Sequence, residues 1–147
     1  MSNKPLIEIP HDNRQNRIGM PAQLALDRFG YVINAIFGEY PYHVGSSAIH
    51  KAAEPATGFK DVDVRLILDE GRYAESFGDP EHPFDNERWC EACEALSMLG
   101  REMTGLPIDF QIQSRSHANA EFPMSKGHVR SALGIIKSIR HLNRSDG

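Results

Sequence analysis

Hydrophobic positions along the chain switch between two periods. Over residues 22–37, AQLALDRFGYVINAIF, Leu26, Phe29, Ile33, Ile36 and Phe37 recur at helical spacing. A helix is predicted there, with Gly30 as an interior blemish and Gly38 as its stop. Residues 1–20 carry Pro5, Pro10, Asn13, Asn16 and Gly19 with little periodicity and read as an arm. Tyr40 to Val44 is a short strand candidate, Ser47 to Glu54 a short helix ending at Pro55, and 55–59 a loop. In KDVDVRLIL, residues 60–68, the period becomes two. Val62, Val64 and Leu66 alternate with Asp61, Asp63 and Arg65, the pattern of a half-buried strand.

Residues 69–84 are rich in Gly, Pro and acidic side chains, which predicts a long surface loop. Residues 85–103 read as a helix with Asp85 as N-cap. Its buried stripe would be Trp89, Cys93 or Ala92, Leu96, Leu99 and Met103. A strand follows at 108–113, IDFQIQ, then a polar loop at 114–123. The pattern ends in a helix at 125–143 with Val129, Leu133, Ile136, Ile139 and Leu142 apolar. The other face of that helix would carry Lys126, Arg130, Lys137, Arg140 and Arg144. This order of elements fits an α+β or α/β domain.

Composition narrows the class. With 147 residues, 40% hydrophobic and 24% charged, one domain can bury a core. A formal net charge of −4 gives no general attraction to nucleic acid or acidic membranes. No run of 18 apolar residues suggests a membrane span, and the polar N-terminus is unlike a secretory signal. Two cysteines do not make a disulfide framework, and a reducing, cytoplasmic setting is expected.

The chemistry concentrates in two places. Side chains at i and i+2 of a strand share a face, so Asp61 and Asp63 are neighbours while Val62 and Val64 face the core. Carboxylates this close repel unless a cation joins them. Hard oxygen donors of this kind suit Mg²⁺, or Mn²⁺, together with phosphate oxygens. Asp109, flanked by Ile108 and Phe110, adds a third carboxylate if its strand lies alongside. The Gly45-Ser46-Ser47 turn supplies a backbone that can approach a phosphate closely and hydroxyls to bond it. Each piece alone has a plainer reading, a solvated strand face or a simple turn. Their order along the chain is more restrictive than either.

Val44-Gly45-Ser46, Asp61-Val62-Asp63-Val64 and Ile108-Asp109-Phe110 resemble the signature of the nucleotidyltransferase superfamily, which includes DNA polymerase beta and small stand-alone bacterial and phage enzymes. The resemblance covers residues 22–113. It implies a small α+β core, a short mixed sheet flanked by helices. It implies metal ligation by Asp61, Asp63 and Asp109, with Asp109 as general base, and triphosphate binding by Gly45, Ser46 and Ser47. The activity implied is transfer of a nucleoside monophosphate from an NTP to a hydroxyl of RNA, protein or a small molecule. The chain would divide into an arm (1–21), the core (22–116) and a basic amphipathic helix packed on it (117–147). The spacer between Ser46 and Asp61 is longer than the family's. Arg65 replaces an apolar residue and would touch phosphate or, more plainly, form a salt bridge. The helical domain of larger relatives is missing, which suggests a homodimer or partner protein closing the site.

Other readings compete. The same fold could bind nucleotide or a partner without turnover, as an antitoxin-like or regulatory module. Trp89-Cys90-Glu91-Ala92-Cys93 has a thioredoxin-like outline, but it lies inside a helix rather than at its start. One cysteine pair is too few for zinc. His43 and His50 bracket the Gly-Ser turn, either as nucleotide contacts or as ordinary strand-end histidines. Neither GxxxxGK nor GxGxxG is present. The basic face of the last helix would suit nucleic acid, triphosphate or plain solvent.

Overall fold

The computed structural model describes residues 18–49, 60–123 and 126–136. Four strands, β1 (Tyr42–Val44), β2 (Val62–Leu68), β3 (Ile108–Ser114) and β4 (Ser131–Ala132), form one mixed sheet in the order β3-β2-β1-β4. β2 and β3 run parallel, while β1 is antiparallel to both β2 and β4. The helices are α1 (Ala22–Phe37), α2 (Glu70–Phe77), α3 (Glu87–Thr104) and α4 (Arg115–Glu121). The protein is α+β. Among the described residues no helix is long and apolar enough to cross a membrane.

One face of the sheet is dry. Val62, Val64, Leu66, Ile108, Phe110 and Ile112 are buried there under Leu26, Phe29 and Ile33 of α1 and Trp89 and Cys93 of α3. Phe29 meets Phe110 edge-on, 5.9 Å between ring centroids. Gly30 is no blemish, because a Cβ there would lie 2.3 Å from the Cβ of Leu133.

α3 follows the expected span, with one shift. Its N-cap is Asn86, whose side chain accepts from the Trp89 N–H at 2.9 Å, rather than Asp85. The fully buried stripe is Trp89, Cys93, Ser97 and Gly100, while Leu99 is 36% exposed. Small residues take the inner face because β3 comes too close for large ones: a Cβ on Gly100 would sit 2.9 Å from Ile108 Cγ2. The same approach lets α3 satisfy the outer edge of β3. Arg101 donates to Ile108 O, Ser97 bonds both N and O of Phe110, and Trp89 Nε1 donates to Ile112 O.

Three expectations are corrected. Residues 69–84 are not a long loop. α2 starts at the Asp69 cap, which accepts from Arg72 N at 2.8 Å, and Tyr73 packs on Phe77. Residues 114–123 hold α4, capped by Ser114 and anchored by Ala118 and Phe122 at i+4. Both helices are too short to show a period, and their caps are the only local signal. The helix expected from 125 is absent over 126–134. Ser131–Ala132 pair with the open side of β1, and Gly127 and Gly134 adopt positive φ. Asp27 on α1 accepts from Gly134 N at 2.8 Å and holds this segment down. Lys137, Ile139, Arg140, Leu142 and Arg144 lie outside the described residues, as does most of the helix expected at 47–54, of which the start is a 3₁₀ turn, Ser46–Ala48. The division expected at 116/117 falls inside α4.

Candidate functional site

The opposite face of β2 and β3 is charged. Asp63 and Asp109 are register partners on adjacent parallel strands, and Asp61 precedes β2 by one residue. One carboxylate oxygen from each lies within 4.8 Å of the other two. Period-two alternation produces this: the residues that bury Val62, Val64, Ile108 and Phe110 on one side turn the aspartates to the other. Asp61 is exposed and the other two are half-buried.

The Gly-Ser turn closes on this rim. Val44 pairs with Asp63, and Gly45 follows at φ 80°. A Cβ on Gly45 would lie 2.3 Å from Asp63 Oδ2, so glycine is required by both conformation and contact. Ser46 is exposed beside it. Ser47 turns inward, its Oγ 2.8 Å from Nε2 of the buried His43. Of the two serines Ser46 is exposed and Ser47 is buried. Burial pushes the His43 pKa down to about 4, so its imidazole is neutral.

Arg65 lies beneath the carboxylates at 3% exposure. Its guanidinium is 3.7 Å from both Asp63 Oδ1 and Asp109 Oδ2, and donates to Asp109 O at 2.7 Å. Its guanidinium carbon lies over the ring of Phe122, 5.6 Å from the centroid. The salt-bridge reading of Arg65 matches these contacts. Even so, burial pushes Asp63 up to about 6, with Asp109, Asp61 and Glu121 adding to the rise and Arg65 opposing it. A carboxylate held this way favours a proton or a metal cation. Three hard oxygen donors in reach of one point fit Mg²⁺ or Mn²⁺.

No family model matches the chain, and neither do curated proteins or solved structures. The resemblance therefore stands on these residues and their arrangement.

Sequence reasoning missed the wall beside the rim. Gln113 donates to Glu121 at 2.6 Å, Phe122 covers Arg65, and His128 stacks edge-on against Phe122. The Ser114 cap was the only sequence signal for it. The thioredoxin-like reading fails on placement: Cys90 and Cys93 lie within α3, and burial pushes the Cys93 thiol up to about 11, away from reactivity.

Proposed function

We propose that this protein is a metal-dependent nucleotidyltransferase that moves a nucleoside monophosphate from an NTP such as ATP to a hydroxyl acceptor. The observation that carries the reading is the gathering of Asp61, Asp63 and Asp109 within 4.8 Å beside the Gly45 turn. These three residues would hold the metal. When bound, Mg²⁺ would lower the pKa of the attacking hydroxyl and neutralise the leaving group.

Asp109 takes the acceptor's proton. The acceptor oxygen then bonds the α-phosphorus, and the bond to pyrophosphate breaks. Asp61 and Asp63 would hold the metal that offsets their repulsion of the phosphates, and the Gly45-Ser46 backbone and Ser46 hydroxyl hold the triphosphate tail. Arg65 fixes Asp63 and Asp109 relative to one another. Asp109 also borders a groove of about 350 Å³ that includes Trp89, Glu94, Ser97 and Arg101, where the acceptor can lie. Positioning and charge supply most of the rate. Cellular NTP and two free thiols go with a cytoplasmic setting.

One observation favours a second reading, a nucleotide-binding module without turnover: Arg65 already offsets two of the three carboxylates. Calorimetric titration of each NTP with Mg²⁺, with EDTA, and into a folded Asp61→Asn/Asp63→Asn variant tests the site. Binding of one NTP only with Mg²⁺ and only to the wild type is expected. Pyrophosphate release with that NTP and candidate acceptors then separates catalysis from binding, and no binding under any condition overturns both readings.

A further inference from the structure

The segment that replaces the expected final helix brings a cation to the carboxylate face. β4 pairs with β1 as Tyr42↔Ala132 and His43↔Ser131. One step further along that register, Arg130 comes beside Val44, whose other neighbour is Asp63. Facing residues of antiparallel strands share a side of the sheet. Arg130 therefore lies on the side of Asp63, two strands away, roughly 10 Å across.

Independent contacts agree with this parity. Arg130 donates through its terminal nitrogen to Asn119 Oδ1 at 2.6 Å. Asn119 belongs to α4, which covers the carboxylate face through Glu121 and the following Phe122. His128, two residues before Arg130, packs on that same Phe122. Leu133, of opposite parity, goes to the dry face against Gly30. Arg65 is committed to Asp63 and Asp109. Arg130 has no carboxylate ion pair among the described residues, and its Nε is enclosed without a hydrogen-bond partner there.

From this placement we propose that Arg130 binds the β- and γ-phosphates of the nucleotide. The assignment rests on the nucleotidyl-transfer reading and adds a residue to it. A rim of three carboxylates repels a triphosphate, and a fixed guanidinium beyond the Gly45 turn offsets that repulsion where the tail must lie. The planar fork can meet two phosphate oxygens while one nitrogen stays on Asn119.

The test is calorimetric titration of Mg·ATP, Mg·GTP, Mg·CTP and Mg·UTP, and of the matching monophosphates, into the full chain. Wild type is compared with Arg130→Gln, which keeps a donor for Asn119, and with Arg130→Lys. For the NTP that binds, Arg130→Gln is expected to weaken affinity about tenfold or more, with Arg130→Lys between the two. Monophosphate affinity is expected to stay within about twofold, since it lacks the groups Arg130 contacts. Unchanged NTP affinity in Arg130→Gln overturns the assignment. So does an equal loss for NTP and monophosphate, which would make Arg130 a support for α4, and Asn119→Ala would then reproduce it. Weakened binding of a single-stranded RNA with NTP affinity intact would give Arg130 to the acceptor instead and also overturn it. Should Arg130→Gln fail to fold, the selective loss in Arg130→Lys decides by the same criteria. Failure of the wild type to bind any NTP overturns this proposal together with the reading beneath it.

Discussion

Asp109 and Phe110 are adjacent in β3 and solve different problems. Phe110 faces α1 and α3, is 1% exposed, and meets Phe29 edge-on. Asp109 faces a rim of like charges with a buried arginine beneath. The dry face is held by area and shape, and each side chain there adds to stability. The wet face gathers three carboxylates that oppose one another and that Arg65 offsets in part. Core packing and the proposed chemistry are thus a single residue step apart along one strand.

The largest effect comes from breaking that separation at its sharpest point. Phe110→Ala is expected to cost about 3–5 kcal/mol of unfolding free energy through the cavity it leaves. Asp109→Asn, one residue away, is expected to change stability by less than about 1 kcal/mol, because its ion pair is partly exposed. On the proposed function, nucleotidyl transfer by this variant should fall by about a hundredfold or more. Urea unfolding beside a pyrophosphate-release assay checks both, and equal stability losses would mean that the faces are not independent.

The pH response distinguishes the faces next. His43 is buried on the dry side with its pKa lowered from 6.5 to about 4. The unfolded chain takes up a proton below 6.5 that the folded chain refuses until about 4. Its contribution is therefore complete above pH 6.5 and lost as pH falls to about 4, up to about 3 kcal/mol. Asp63 has the opposite sign. Its pKa is raised from 3.8 to about 6, so its penalty is absent below 3.8 and grows as pH rises through 6. Unfolding curves from pH 4 to 7.5 for wild type and His43→Gln isolate the histidine, and an unaltered slope in the variant would contradict this account.

Arg65→Met sharpens the comparison from the wet side. It leaves Asp63 and Asp109 without their shared cation and is expected to cost about 2 kcal/mol, less than a fully enclosed pair because both carboxylates reach solvent. Added Mg²⁺ should return part of that stability, measured as a larger rise in thermal midpoint for the variant than for wild type. No Mg²⁺-dependent difference would argue against a metal at this rim.

The legible parts of the fold were those with a long period or strict alternation. α1, β2, β3 and α3 declared themselves within one or two residues, and so did the three aspartates, because alternation fixes the side to which each points. Short elements did not. α2 and α4 turn only twice and depend on the caps Asp69 and Ser114. The segment at 126–134 has a plausible helical stripe, yet β1 offers an unpaired edge and Asp27 holds Gly134, and that tertiary pairing overrides the pattern. The joining of Gly45 to Asp63 was legible only as an order of motifs; the contact that demands glycine is long-range. Arg65 was placed on the correct face, but its depth could not be read from alternation.

The smallest effect probes the strand that both faces share. Ser97 Oγ accepts from Phe110 N at 2.9 Å and donates to Phe110 O at 3.3 Å, closing the outer edge of β3 next to Asp109. Ser97→Ala leaves both groups enclosed without that partner, at an expected cost of about 1–2 kcal/mol. The Phe110 amide should exchange its hydrogen faster, which a hydrogen-exchange measurement resolves directly. If the two faces are separate, Mg²⁺-dependent nucleotide affinity stays at the wild-type value in this variant. If affinity falls with the exchange protection, the backbone of β3 transmits the loss, and the edge bond from α3 holds Asp109 in place as well as the strand.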